Sequence, residues 1–201
     1  MQPRIAIAYH SGYGHTAAVA QAVAQGATQA GGQVSLLAVE ELSEDDWAAL
    51  AQADAIVFGT PTYMGGPAAA FKAFADASSK VWADDLGWQD KLAAGFTNSG
   101  SMSGDKLATL TYLATFAAQH GMQWISLGLM PGWNTSTGSP HDLNRLGSYL
   151  GLMTQANTDE PADHAPPTSD IATAEHLGRR VTTLTARWIV AKTTARTPVS
   201  T

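Results

Sequence analysis

The sequence predicts a doubly wound α/β domain: a five-stranded parallel sheet with helices on both faces. Two observations lead there. Short apolar, β-prone runs alternate with Ala-rich or amphipathic stretches of helical propensity along most of the 201 residues. Three of the strand candidates also run directly into loops rich in Gly and in small and hydroxyl residues, the end of an open parallel sheet where ligands are received. Residues 1–201 are read as one domain, since this length suits a single core.

The elements follow in order. Ile5–Tyr9 is the first strand and Thr16–Ala30, rich in Ala, the first helix. Gln33–Val39 is the second strand. Ser43 and Asp46 have the spacing of a capping box, which starts a short second helix. Asp54–Gly59 holds Ala55, Ile56, Val57 and Phe58, the pattern of a strand buried on both faces. Pro67–Ser79 is read as a helix, with Pro67 tolerated in its first turn. Lys91–Thr97 is the fourth strand, Gly104–His120 a helix closed by Gly121, and Gln123–Leu127 the fifth strand. In Ser169–Lys192 the apolar positions Ile171, Ala174, Leu177, Val181, Leu184 and Trp188 step by three or four, which predicts a long last helix. Residues 128–168 break the alternation with Pro131, Gly132, Gly138, Pro140, Gly147, Gly151, Pro161, Pro166 and Pro167. They are expected to form a long loop, either a surface excursion over the last strand or a lid or partner-subunit contact.

Composition removes several functions. Seventeen acidic and eleven basic side chains leave a net charge of −6, which disfavours nucleic acid and anionic membrane as partners. With no cysteine there is no disulfide scaffold, thiolate metal site or thiol nucleophile, so redox chemistry would need a bound cofactor. The first residues lack a secretory signal and no window is apolar enough to span a membrane, so a cytoplasmic protein is expected. The six histidines show no ligand spacing, and no metal is expected. No G-x-S-x-G elbow is present.

The first strand ends in His10-Ser11-Gly12-Tyr13-Gly14-His15-Thr16. A turn of Gly and hydroxyl residues leading into a helix presents free amides and a favourable dipole to a phosphate. The lysine of a P-loop is missing. Gly12, Gly14 and Ala17 spell a weak dinucleotide fingerprint, but His10 and Ser11 stand between the strand and its first Gly. Ser11, Gly14 and Thr16 suit a phosphate monoester better. No Lys or Arg lies between Arg4 and Lys72, so neutral donors would hold it. The third strand ends in Gly59-Thr60-Pro61-Thr62-Tyr63-Met64-Gly65-Gly66, and the fourth in Thr97-Asn98-Ser99-Gly100-Ser101-Met102-Ser103-Gly104. Three such loops on successive strand ends make one cradle for a planar polar ring.

SGYGHT, GTPTYMGGPAAAFKAF, FTNSGSMSGDK and AAQHGM, in this order, resemble the flavin mononucleotide (FMN) loops of the flavodoxin-like NAD(P)H:quinone oxidoreductases of the WrbA type. The resemblance implies strand order 2-1-3-4-5, bound FMN, and two-electron ping-pong reduction of a quinone or similar planar acceptor by NADH or NADPH. It also implies a homodimer that can pair into a tetramer. By the same resemblance Ser11, Gly12, Tyr13, Gly14, His15 and Thr16 form the phosphate loop. Pro61, Thr62, Tyr63 and Met64 lie beside the flavin ring. Asn98, Ser99, Gly100, Ser101, Met102 and Ser103 form the loop at its pyrimidine edge. His120 reaches the flavin site from a neighbouring subunit, Tyr13 contacts the nicotinamide side, and Trp82 forms an aromatic wall of the substrate pocket.

The sequence departs from that family at named places. Tyr63 stands where the family has Arg, the insertion between the second and third strands is short, and the third loop is built of Ser and Met. The stretch from Pro131 to Asp170 also differs, which leaves the acceptor open. Two other functions fit the same residues: a flavodoxin-type single-electron carrier and a flavin-binding regulatory protein. Arg179, Arg180, Arg187, Lys192 and Arg196 near the C-terminus are read as a solvated face.

Overall fold

The computed structural model describes residues 2–195; Arg196 lies outside them. Strand β1 (Arg4–Tyr9) pairs in parallel with β2 (Gln33–Ala38) on one side and with β3 (Ala55–Tyr63) on the other. Strand β3 pairs with β5 (Leu92–Ser99), and a two-residue β4 (Gly66–Pro67) turns back antiparallel on the end of β3. The main sheet order is β2-β1-β3-β5 followed by one more strand position, as expected from 2-1-3-4-5 once the small β4 is set aside.

That last position is shared by two segments. β6 (Gln123–Trp124) pairs with Leu92 and Ala93, and β7 (Leu152–Gln155) pairs with Phe96–Ser99. The expected strand Gln123–Leu127 is therefore shortened, and the expected loop 128–168 contains a strand. The chain leaves the sheet after Ile125, whose amide still reaches Ala93 O at 2.7 Å, and returns at Leu152. The departing and returning ends are joined by Trp124 Nε1 donating to Leu150 O at 2.8 Å. Within the excursion, Asn144 donates through Nδ2 to the carbonyls of Leu129 and Ser148, both at 3.0 Å.

Helices cover both faces, and strand alternation decides which side chains meet which helix. Ile5, Ile7, Val57, Ala94 and Phe96 face α1 (His15–Gln29) and α6 (Thr168–Ala195) through Val19, Val23, Leu177 and Val181. Ala6, Ala8, Ile56, Phe58 and Ala93 face α2 (Glu44–Gln52), α3 (Ala69–Ala77) and α5 (Lys106–Gln119) through Leu50, Phe71, Phe74 and Leu113. The second face carries an aromatic cluster in which Phe58 and Phe116 approach to 5.1 Å between centroids and Trp88 is wholly buried. The capping box is formed: Ser43 Oγ accepts from Asp46 N and the Asp46 carboxylate from Ser43 N. The expected helix Pro67–Ser79 starts later, because Gly66 and Pro67 belong to the β4 hairpin. It breaks at Ser78 into α3 and the short α4 (Ser79–Ala83). No helix among the described residues is long and apolar enough to cross a membrane.

Candidate functional site

A cleft of about 350 Å³ opens at the carboxyl ends of β1, β3 and β5. Its lining takes Tyr13, His15 and Thr16 from the first loop, Pro61, Thr62 and Tyr63 from the second, and Asn98, Ser99 and Gly100 from the third. Three loops read separately in the sequence thus meet around one space. Ala156 and Thr158, which follow β7, form a further wall that the sequence did not single out. No Lys or Arg lines the cleft.

The first loop is shaped for an anion. Gly14 takes φ +90°, a conformation that suits glycine, just before α1. Ser11 Oγ accepts the amides of Gly14 and Ala17, both at 3.1 Å. Among the described residues no acceptor reaches the amides of His15 and Thr16, the first two of the helix. They remain open to a ligand at the positive end of its dipole. His10 and His15 are held away from this role: His10 Nδ1 pairs with Glu40, and His15 Nε2 lies 2.7 Å from Glu160 O. Residues 156–162 lie against this loop through that bond and at Gly14, where a Cβ would stand 3.0 Å from Ala162 Cβ. The later half of the long loop is therefore a wall of the cleft, while residues 125–151 are an excursion from the last strand position.

The second loop is a tight hairpin. Met64 and Gly65 have φ of +49° and +81° between Tyr63 and Gly66, the pattern of a type I′ turn. Met64 is fully exposed at its tip and does not line the cleft. Thr62 is largely buried, and its hydroxyl bonds those of Thr97 and Thr109 at 2.8 Å each, tying β3 to β5 and α5. Tyr63 lies edge-on to Tyr13 at 6.3 Å, with its hydroxyl over Gly12, whose Cβ would come within 2.6 Å of it. Burial, then the neighbouring Tyr13, raises the Tyr63 pKa.

The third loop is held from beneath. Asn98 Oδ1 accepts from Thr154 Oγ1 at 2.9 Å, and Gln155 Nε2 donates to Gly100 O at 2.9 Å. Lys106 is buried and donates to Ser99 Oγ, Ser101 O and Met102 O at 2.8, 2.8 and 3.0 Å. Its pKa falls to about 8, because burial outweighs the pull of Asp170. Ser101, Met102 and Ser103 are exposed beyond the cleft lining. Lys106, Arg145, Gln155 and Asp170 escaped the sequence reading because each is an unremarkable polar residue until folding brings it beneath the loop.

Trp82 and His120 are placed elsewhere in the chain. They line a second cleft of about 440 Å³ between α3, α4 and α5, together with Tyr112 and Phe116. Trp82 is half-exposed. His120 is buried: Nε2 lies 2.9 Å from Ser78 Oγ and Nδ1 has no partner, and burial lowers its pKa. Within one chain, neither residue shares the cleft of the three loops.

The comparisons with known proteins agree with this architecture. Residues 7–130 match the family described as NADPH-dependent FMN reductase. The chain is 46% identical over 178 residues to flavodoxin FldP from Pseudomonas aeruginosa, covering 87% of this chain and 92% of that protein. It is 30% identical over 210 residues to an NAD(P)H dehydrogenase (quinone) from Paracoccus denitrificans, covering 94% and 96%. Among solved structures, a flavodoxin, WrbA-like protein from Agrobacterium tumefaciens superposes with a TM-score of 0.71 at 44% identity, covering 91% of this chain and 97% of that one. The chain belongs to the NADPH-dependent FMN reductase family.

Proposed function

We infer that this protein is an FMN-dependent oxidoreductase that takes hydride from NADH or NADPH and reduces a quinone or similar planar acceptor in two-electron, ping-pong turnover. One observation carries the reading: three strand-end loops converge on a single cleft whose lining offers amides, hydroxyls and an amide side chain but no cation. These donors fit FMN. The open His15 and Thr16 amides, with the Thr16 hydroxyl, suit a phosphate monoester at a helix N-terminus. Asn98, Ser99 and Gly100 suit the polar edge of a planar ring system. FMN, when bound, supplies hydride acceptance and two-electron delivery.

The protein's own part is to bind and orient. The hydroxyl network of Thr62, Thr97 and Thr109 fixes the second loop relative to the third. Tyr13, 81% exposed at the cleft mouth, offers a face to the nicotinamide. The quinone dehydrogenase relatives support a small planar acceptor. Trp82 and His120 would serve the cleft of a neighbouring copy in a homodimer, or a tetramer built from it. The half-exposed Trp82 supports that placement; His120, packed against Trp88 and Phe116 and bonded to Ser78, would act there only through the wall it buttresses. A cytoplasmic site of action goes with the NAD(P)H donor.

A second reading has its own support. The 46% identical relative is named a flavodoxin, which favours one-electron carriage to a protein partner. One experiment separates the two. FMN-loaded protein is mixed anaerobically with NADPH and then with benzoquinone. Rapid bleaching by NADPH, recovery of the yellow colour with quinone, and parallel initial-rate lines support the reductase. Failure of NADPH to bleach protein that has bound FMN supports the carrier.

A further inference from the structure

Lys106 is the one wholly buried lysine in the described chain, and its neighbours show what it does. It begins α5, beneath the third loop, and its ammonium meets three loop acceptors: Ser99 Oγ, Ser101 O and Met102 O. Burying a charge is tolerated only when it is bonded and compensated. Here the three loop acceptors bond the ammonium, and Asp170 at the start of α6, 2% exposed, attracts it through space while itself pairing with Arg145 at 2.8 Å and accepting the amide of Gln155 at 2.8 Å. Arg145 further reaches Gln155 Oε1 at 3.1 Å and Met102 Sδ at 3.7 Å. Lys106, Arg145 and Asp170 thus leave one unit of positive charge under the loop.

Peptide geometry converts this into a statement about the other side of the loop. In a trans peptide the N–H points opposite to the C=O. With Ser101 O and Met102 O turned inward onto Lys106, the amides of Met102 and Ser103 point outward, and no acceptor for either exists among the described residues.

We propose that Lys106 is a positioning residue: by drawing two loop carbonyls inward it turns the Met102 and Ser103 amides outward at the rim of the cleft, next in the chain to Ser99 and Gly100 of its lining, where they can donate to the pyrimidine edge of the bound flavin and favour the negative charge the ring carries when reduced. The proposal rests on the FMN reading above.

The test compares wild type with Lys106→Met, which keeps the stem and removes the charge. Apoprotein is titrated with FMN by fluorescence quenching, and the midpoint potential of bound FMN is measured with reference dyes. The expected result is a dissociation constant raised about tenfold, the scale of one charge-assisted hydrogen bond, with a more negative potential. A folded variant, judged by circular dichroism, whose affinity and potential both match wild type overturns the proposal. A merely structural lysine would lower the melting temperature and leave the potential unmoved, which also overturns it. Should the variant fail to fold, amide exchange in wild type decides. Protection of the Met102 and Ser103 amides on adding FMN supports the proposal, and unchanged exchange overturns it. Wild type that binds no FMN would remove the cofactor reading itself, an outcome distinct from these.

Discussion

Met64 sits at φ +49° at the first central position of the hairpin that carries the second loop. A non-glycine residue in the left-handed region costs about 1–2 kcal/mol, and here it is combined with a fully exposed side chain that packs on nothing within the chain. Such strain gathers at functional loops. Asparagine tolerates this conformation, and Asn-Gly is the preferred pair for a type I′ turn. Met64→Asn should therefore stabilise the protein by about 0.5–1 kcal/mol, read as a higher urea midpoint at unchanged slope. A loss of stability would show that the exposed methionine makes a contact worth more than the strain.

Between elements, α1 and α6 cross with their backbones in close approach. A Cβ on Gly26 would lie 2.0 Å from Glu175 O, and one on Gly178 would lie 2.0 Å from Val23 O. Each glycine meets backbone of the other helix, so no side-chain rotation relieves the overlap. Gly26→Ala and Gly178→Ala should each cost at least about 2 kcal/mol, the upper range for overpacking, although alanine is the better helix former. Equal urea midpoints for variant and wild type would refute this. Most of the architecture was legible because local pattern and tertiary role agree: the doubly buried run at Ala55–Phe58, the Ser43–Asp46 cap and the glycine and hydroxyl strand ends carry their meaning in single segments. The split of the last strand position was not legible. Leu152–Gln155 is four residues long, lies in turn-rich sequence, and becomes a strand only because β5 offers it a free edge. Lys106 likewise looks like an ordinary first-turn residue until Arg145 and Asp170, 25 residues apart, close under it.

At the scale of the whole molecule, the two buried faces leave few places for charge inside, and the exceptions set how stability responds to pH. Lys106 lies under the third loop, and Lys91 bonds Ala51 O and Ala53 O at the end of α2. Burial lowers both to a pKa of about 8 from the ordinary 10.5. Between these values the unfolded chain holds a proton on each lysine that the folded chain has released, so stability rises with pH. Below about pH 8 both states are protonated and the two lysines add no slope. Tyr9, Tyr63 and Tyr112 are raised by burial. Above pH 10 the unfolded chain loses tyrosine protons that the folded chain keeps, and the sign reverses. His120 and His176, lowered by burial, give a further rise as pH climbs toward 6.5. Urea midpoints of the apoprotein should thus climb toward pH 6.5, level off, and climb again from about 8 to 10. Lys106→Met should remove about half of the second climb, since one of two equivalent groups is gone. The comparison of variant with wild type isolates the lysine from the growing repulsion of an already acidic chain. A variant whose second climb matches that of wild type would mean that Lys106 does not titrate where its burial places it.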